Sequence, residues 1–225
     1  MKKRIEELRP GAPFQYCGYN WVKLDSLEAG ALVLAADVVF NRAFDNENRA
    51  DWTISTLREE LGNDFANRLH SNGANFENFV SFRPDLTAND GMKNYGSTID
   101  GIALLSCEQY RQYRHVIPQA TERWWTLTPW SCTKPYAAYV CAVKRDGTID
   151  YEAACCNDWG VRPACVLEND TLVAVEGADS ATEAADNIIA MLGGITIEEA
   201  GNALVEASKR IAKMRIRELR RKLDD

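Results

Sequence analysis

The chain has 225 residues, of which 46% are hydrophobic, and it carries a formal net charge of −7. This length allows one globular domain, alone or with an appendage, and the apolar content suffices for a core. The acidic balance argues against a nucleic-acid partner, because nucleic-acid-binding proteins usually carry a basic surface. No run of about 18 apolar residues occurs, so we expect no membrane span.

The N-terminal residues do not form a secretory signal. The basic start, Met1–Arg4, is followed by the polar stretch Ile5–Pro10 rather than by an apolar segment. We therefore expect cytoplasmic synthesis without a signal peptide.

The first part of the chain predicts strands followed by a helix. Residues 14–40 alternate in part with the two-residue period of a strand, and Glu28–Gly30 has the composition of a hairpin turn. A helix is predicted to start at Thr53 or Ser55 and to end at Gly62, since serine and threonine cap helix starts and glycine ends helices.

The middle of the chain is richer in loops. Residues 63–101 contain many Asn, Gly and Asp residues, which predicts loops and one short helix near residues 64–70. A short buried strand is predicted over Ile102–Ser106, and Ser106 then caps a helix over residues 108–113.

The region that follows alternates short strands with turns. Asp146-Gly147 is the strongest hairpin signal in the chain. A last strand is predicted over residues 171–175.

The composition changes near the C-terminus. Residues 181–192 and 196–223 are rich in Ala, Glu, Lys, Arg and Leu, with Gly193-Gly194 between them, and predict two helices. The second is long and amphipathic. It is either an ordinary helix packed on its own domain or an arm for oligomerisation or docking, and both interpretations remain open.

Cysteine usage favours reduced thiols. The seven cysteines form no CxxC pair, and Cys155 and Cys156 are adjacent, which suits neither a zinc site nor an easy disulfide. The loop carboxylates of Asp85, Asp90 and Asp100 do not have the spacing of an EF-hand calcium loop. No Gly-rich phosphate loop is present. We therefore expect no metal and no cofactor.

The most distinctive stretch contains three tryptophans within seven residues, Trp124, Trp125 and Trp130. Because neighbouring strand residues face opposite sides, the Trp124-Trp125 pair predicts one ring inside and one outside. Trp130 and Trp159 border polar turns, which predicts exposed rings. The alternative for all of these aromatic residues is core packing. The candidate ligand-binding residues are Trp130, Tyr136, Tyr139, Tyr151, Asn157 and Trp159.

Five motifs, in this order, resemble a bacterial and phage-associated family of domains of unknown function, DUF6273. They are Tyr19–Asp25, Phe44-Asp45 with Trp52–Leu61, Asp100–Tyr110, Trp124–Pro129 and Gly160–Ala164. The resemblance covers most of the first 170 residues. It implies structural roles for Trp21, Trp52, Arg58, Trp124, Trp125 and Arg162.

Arg162 is interpreted as a structural residue. Its planar guanidinium can hold either a carboxylate or backbone carbonyls. Asp100 and Glu108 are the candidate carboxylates.

The family is in turn similar to the C-type-lectin-like fold of sulfatase-modifying-factor-type domains and of the variable proteins of diversity-generating retroelements. This implies an α+β core over residues 1–177, with twisted antiparallel sheets and two flanking helices. Residues 178–225 would form a helical C-terminal extension. In that fold the ligand contacts come from late loops and strands, here about Trp130–Trp159.

These features favour a non-enzymatic module, of phage or prophage origin, that binds a ligand or receptor or serves a structural role. The partner would be a protein or a carbohydrate of unknown identity. The C-terminal helix would contact a phage tail or a second copy of the chain, and the protein would then be virion-associated.

Two alternatives remain. One is an oligomeric structural subunit assembled through the C-terminal helix. The other is a formylglycine-generating enzyme of the sulfatase-modifying-factor type. Such an enzyme uses paired cysteines, here Cys155 or Cys156 with Cys132 or Cys165. Only His70 and His115 could activate a thiol, and no motif surrounds them.

Overall fold

The computed structural model describes residues 1–175, 205–206 and 208–210. The chain divides into two units, Met1–Glu176 and Gly177–Asp225. In the second unit the described residues are helical. The rest of the predicted helices over residues 181–192 and 196–223 lies outside the described residues.

Short strands dominate the first unit. In chain order they are β1 (Lys2–Arg4), β2 (Pro13–Tyr16), β3 (Tyr19–Leu27), β4 (Gly30–Ala35), β5 (Phe40–Asn41), β6 (Phe79–Val80), β7 (Ile102–Ala103), β8 (Trp124–Pro129), β9 (Tyr139–Val143), β10 (Ile149–Ala153), β11 (Gly160–Val161), β12 (Ala164–Leu167) and β13 (Leu172–Ala174).

The strands form two sheets. The larger, eight-stranded sheet has the order β1-β13-β2-β3-β4-β12-β6, and β7 also pairs with β12. The smaller, five-stranded sheet has the order β10-β9-β8-β11-β5. All pairs are antiparallel except β8 with β11. The expectation of an α+β fold with antiparallel sheets is confirmed at this level.

The predicted turns and one helix cap are confirmed. β3 and β4 pair up to Leu27 and Gly30, so the chain turns at Glu28-Ala29. β9 and β10 pair from Val143 and Ile149 around the Asp146-Gly147 turn. The Ser106 hydroxyl accepts a hydrogen bond from the Gln109 N–H and caps a helix over Cys107–Tyr113. These features depend on local sequence, which explains why they could be predicted.

The helix after Ser55 is longer than predicted. It starts at Thr56, continues through a π-helical turn over Leu61–Phe65 and ends at Ser71. The predictions that Gly62 ends the helix and that a separate helix follows are therefore wrong.

Core packing explains why this helix continues past Gly62. Leu57, Leu61, Phe65 and Leu69, spaced by four residues, are all fully buried. A spacing of four drifts around an α-helix of 3.6 residues per turn, and the wider π turn offsets this drift. We label the α-helical parts α1 (Thr56–Glu60) and α2 (Ala66–Ser71), and the helix after Ser106 α3 (Cys107–Tyr113).

Two hydrophobic clusters pack on opposite faces of the sheets. The larger joins β3, β4, β8 and β9 to the α1–α2 helix and includes Trp21, Trp52 and Trp125. The smaller joins the other faces of both sheets to α3 and includes Tyr110 and Trp124. Both faces of β8 are therefore covered. No helix in the described part of the chain is both long and apolar enough to cross a bilayer.

A buried lysine fastens the N-terminal segment to β3. The Lys23 side chain has no exposed surface. Its ammonium donates to the carbonyl oxygens of Ile5, Glu6 and Leu8 at 3.0, 3.3 and 2.6 Å. These carbonyls belong to a short 3₁₀ helix, Ile5–Glu7, and the residue after it. No sequence pattern predicts this role, because a lysine in a strand usually faces water.

A buried carboxylate organises the segment that leads into α1. The Asp45 side chain is fully buried, and the Arg49 guanidinium contacts both of its oxygens at 2.8 and 2.9 Å. The backbone N–H groups of Glu47, Arg49 and Thr56 also donate to this carboxylate. Burial alone would raise the pKa of Asp45, but the hydrogen bonds from Arg49 and the backbone hold it below the ordinary value of 3.8.

This pKa shift predicts a pH-dependent contribution to stability. Since the folded pKa is lowered, Asp45 stabilises the fold above the ordinary pKa, and the stabilisation is lost as pH falls through the folded pKa. We expect Asp45→Asn to lower the free energy of unfolding by about 2 kcal/mol at pH 7. The difference in unfolding free energy between wild type and the variant should narrow below pH 3.8. Urea unfolding from pH 7 to pH 3 measures this difference. A difference of constant size would contradict the prediction.

Candidate functional site

The two adjacent tryptophans of β8 both belong to the core. Trp124 faces α3, where its ring lies 5.5 Å from that of Tyr110. Trp125 faces the other way and lies 5.1 Å from Trp159. The predicted alternation of faces is confirmed. The expectation that one ring is outside is wrong, because each face of β8 is covered and both residues are at most 1% exposed.

Four other aromatic residues form a contiguous surface at the far end of the smaller sheet. The ring of Tyr151 lies 4.3 Å from Trp130 and 5.6 Å from Tyr139, and Tyr139 lies 6.4 Å from Tyr136. Tyr136 and Tyr151 are 47% and 39% exposed, and the other two are half-buried. We call Trp130, Tyr136, Tyr139 and Tyr151 the aromatic surface.

Strand pairing brings these rings together. Tyr151 pairs with Cys141, and Tyr139 lies two residues before Cys141, so the two tyrosines are diagonal neighbours on one face. The Trp130 N–H donates to the Tyr139 carbonyl at 2.8 Å, which holds the end of β8 beside the start of β9. The arrangement follows from the hairpin, so four of the six predicted ligand-binding residues do lie together.

The loop that carries Tyr136 is fixed by hydrogen bonds. The Tyr136 backbone N–H donates to the Thr133 carbonyl at 2.9 Å. The carbonyl of Ala137, the residue after Tyr136, accepts from the Ala50 N–H at 3.1 Å. The Ala154 N–H donates to the Ala138 carbonyl at 2.9 Å. The aromatic surface is thus supported by backbone contacts on both sides.

The other two predicted ligand-binding residues lie apart from the aromatic surface. Asn157 is exposed in the turn after β10. Trp159 is only 3% exposed, packed between Trp125 and the Arg123 guanidinium, which lies 4.5 Å from its ring centre. The expectation of an exposed Trp159 is therefore wrong, since the polar turn before it does not set which face its ring occupies.

The edge strand β10 differs between its two faces. Tyr151 contributes to the aromatic surface, whereas Asp150 and Glu152 face the other side. Asp150 pairs with the Lys144 ammonium at 2.6 Å. Glu152 accepts a hydrogen bond from the Ala153 N–H at 2.9 Å. The acidic face is thus occupied by local contacts.

Arg162 is the central structural residue of this region. It is fully buried, and its guanidinium donates to the carbonyls of Ala35, Ala36 and Pro118 at 3.1, 2.8 and 3.3 Å. It also lies 4.9 Å from the centre of the Trp124 ring. Of the two kinds of partner considered, backbone carbonyls are the ones found. Burial lowers the pKa of Arg162 to about 10.

Asp100 has a different cationic partner. It accepts from the Arg58 guanidinium at 2.7 Å, the Trp52 indole at 3.0 Å and the Thr98 hydroxyl at 2.8 Å. These bonds tie the start of the α1–α2 helix to the strand before α3. Trp52 and Arg58 thus both contact the Asp100 carboxylate. Trp21 makes a different contact, since its buried indole donates to the Tyr16 carbonyl at 3.1 Å.

Gly160 shows why the motif around Arg162 begins with glycine. A Cβ at this position would lie 2.4 Å from a Val38 methyl group and 2.8 Å from the Arg123 carbonyl oxygen. Such distances are shorter than van der Waals contact. Glycine therefore allows β11 to pass between β8 and β5.

The cysteines proposed for the enzyme alternative are spread over different environments. Cys165 is buried in β12, and burial raises the pKa of its thiol. Cys155 is exposed, and Cys132 and Cys156 are half-buried. Among the described residues, neither histidine hydrogen-bonds to a cysteine, and His70 instead stacks on Phe76 at 5.3 Å. No cluster of three metal-ligating side chains occurs in the described part of the chain.

Comparison with known proteins gives one family match. Residues 77–169 match the family described as a domain of unknown function, DUF6273. This stretch contains the last three motifs of the predicted resemblance, which is confirmed over those residues. Its extension over the first 76 residues stays a prediction. No curated protein and no solved structure matches the chain.

Replacing Arg162 should test its structural role. Arg162→Met removes one buried and two part-buried hydrogen bonds to carbonyls, and an unsatisfied buried group costs about 1–3 kcal/mol. Removing the buried charge offsets part of this cost, so we expect a loss of about 3 kcal/mol in unfolding free energy. Urea unfolding followed by tryptophan fluorescence measures it.

The exposed Arg145 provides the matched control. Arg145→Met should change the unfolding free energy by less than about 0.5 kcal/mol. If Arg162→Met were equally mild, the carbonyl contacts would not be structurally important.

Proposed function

We propose that this protein is a non-enzymatic binding module that presents its aromatic surface to a protein or carbohydrate ligand. The observation that carries the proposal is the contact of four aromatic rings at one exposed end of the smaller sheet. Two of these rings, Tyr136 and Tyr151, are 47% and 39% exposed.

The chemistry of these residues suits recognition. Tryptophan and tyrosine are enriched among the residues that dominate binding energy, because each buries a large area and keeps a polar group for a hydrogen bond. Their side chains have few rotatable bonds, so ordering them on binding costs little entropy. Here the rings also contact one another, which restricts them before a ligand arrives.

The surroundings of the aromatic surface favour a preformed site. Tyr139 and Tyr151 lie on paired strands, and the loop carrying Tyr136 is fastened to neighbouring segments by backbone hydrogen bonds. A preformed site loses less free energy on binding than a flexible one. The same rings would suit either the apolar face of a sugar or an apolar patch of a protein.

The proposal includes a C-type-lectin-like scaffold of phage or prophage origin, as the motif resemblance implies. Two antiparallel sheets, the α1–α2 helix and α3 are compatible with it. Trp124, Trp125 and residues 160–164 would form the fixed frame. Residues between about 130 and 159 would supply the ligand contacts, as in the variable proteins of diversity-generating retroelements.

Binding should depend on the two most exposed rings. The test screens the full chain against an array of defined glycans and against a displayed library of random peptides. For any binder found, the variant Tyr136→Ser/Tyr151→Ser should raise the dissociation constant at least about tenfold, or about 1.4 kcal/mol. Biolayer interferometry measures the dissociation constants.

Phe76 offers a matched control, because it is also aromatic and 47% exposed but lies outside the aromatic surface. Phe76→Ser should leave the affinity unchanged. Binders that respond to Phe76→Ser and not to the double tyrosine variant would contradict the proposal, and so would the lack of any binder in both screens.

A further inference from the structure

A small cavity lies on the α3 side of the smaller sheet, away from the aromatic surface. It has a volume of about 180 Å³ and lies between α3, the segment after it and the β9–β10 turn. None of the four residues of the aromatic surface lines it. A ligand bound here would therefore not touch the aromatic surface.

Four of the five charged residues that line the cavity are cationic. Arg114, Lys144, Arg145 and Arg162 line the cavity, whereas Asp146 is the one carboxylate among its lining residues. The chain as a whole has a net charge of −7, so this excess of cations is a local feature. Such an arrangement attracts anions.

Local pairing accounts for only part of this charge. The Lys144 ammonium is paired with Asp150 at 2.6 Å. Asp146 accepts hydrogen bonds from the N–H and the hydroxyl of Thr148 at 2.9 and 2.6 Å. Among the described residues, no carboxylate lies within 4.0 Å of the guanidinium of Arg114, Arg145 or Arg162. These three guanidinium groups therefore have no carboxylate in contact within the described part of the chain, although the Asp37 carboxylate interacts electrostatically with Arg162.

Arg162 contributes a fully buried positive charge to the cavity lining. Three of its N–H groups donate to carbonyl oxygens, and a guanidinium has five. Carbonyl dipoles and the Trp124 ring stabilise this charge but do not neutralise it. Burial of the charge also lowers the pKa of Arg162 to about 10. The Asp37 carboxylate acts on this charge but does not line the cavity, so an anion in the cavity would add further opposite charge.

Arg114 also lines the cavity and makes contacts of its own. Its guanidinium lies 5.7 Å from the centre of the Tyr110 ring. It also contacts the turn, since a Cβ on Gly147 would lie 3.1 Å from its Nη2 atom. The Tyr110 hydroxyl donates to the Gly147 carbonyl at 2.8 Å and fixes the turn against α3. Contacts with Tyr110 and the turn therefore hold the Arg114 part of the cavity in place.

We propose that this cavity binds an oxyanion group of a ligand through Arg114 and Arg145, with the buried charge of Arg162 adding long-range attraction. Guanidinium groups bind phosphate, sulfate and carboxylate oxygens through paired hydrogen bonds, so these three groups share the required chemistry. The small volume suits one such group rather than a whole polyanionic ligand.

Inorganic phosphate, sulfate and acetate are the probes. Each is titrated into the full ¹⁵N-labelled chain at low ionic strength, where screening of exposed charges is weakest. Phosphate or acetate should cause saturable shifts at the amides of Gly147 and its neighbours. Stronger binding of phosphate and sulfate would assign a tetrahedral group, and stronger binding of acetate would assign a carboxylate. Both results support the proposal.

The variant Arg114→Gln/Arg145→Gln should raise the dissociation constant of the better probe at least about tenfold, which is about 1.4 kcal/mol. Arg111→Gln is the matched control, because Arg111 lies in α3 three residues before Arg114 but pairs with Glu108 and does not line the cavity. It should leave the affinity unchanged.

A urea-unfolding midpoint equal to that of wild type would show that the double variant is folded. If the double variant does not fold, the single variant Arg145→Gln replaces it, because Arg145 is exposed. This single variant should still weaken binding. The proposal is overturned if no probe causes saturable shifts, or if folded variants bind as tightly as wild type.

Discussion

The hydrogen bonds of Arg162 fix the junction between the two sheets. The residue lies between β11 of the smaller sheet and β12 of the larger one, where the chain passes from one to the other. Its guanidinium reaches the end of β4 and the segment after α3, and its face covers Trp124. The position of β8, and with it the aromatic surface at the end of β8, depends on this junction.

Features set by local sequence could be predicted, whereas those set by distant neighbours could not. The turns at Glu28-Ala29 and Asp146-Gly147 and the Ser106 cap are encoded within a few residues. The burial of Trp159 depends instead on two residues of another segment. Trp125 lies in β8, and Arg123 directly precedes β8. A polar turn predicts that the backbone there is exposed. It does not predict whether the aromatic ring that follows faces the core or the solvent.

The aromatic surface could be predicted in the same way from local sequence, whereas the cavity beside α3 could not. Trp130, Tyr139 and Tyr151 could be grouped because a predicted hairpin brings their segments together. Arg114, Arg145 and Arg162 come from three segments whose proximity depends on how α3 packs against the sheet, and no sequence pattern links them. The extent of the α1–α2 helix likewise follows from the buried row that starts at Leu57, which outweighs the glycine at position 62.

The acidic face of β10 has a consequence for self-association. β10 is an edge strand, and the backbone groups on its outer side would otherwise be free to template a strand from another molecule. The Ala153 N–H is bonded to the Glu152 carboxylate, and the Lys144–Asp150 pair adds charge beside it. A foreign strand would have to break these bonds and bury the charges. The aromatic rings can therefore be exposed on one side of β10, while its blocked N–H and its charges disfavour edge-to-edge aggregation along the strand.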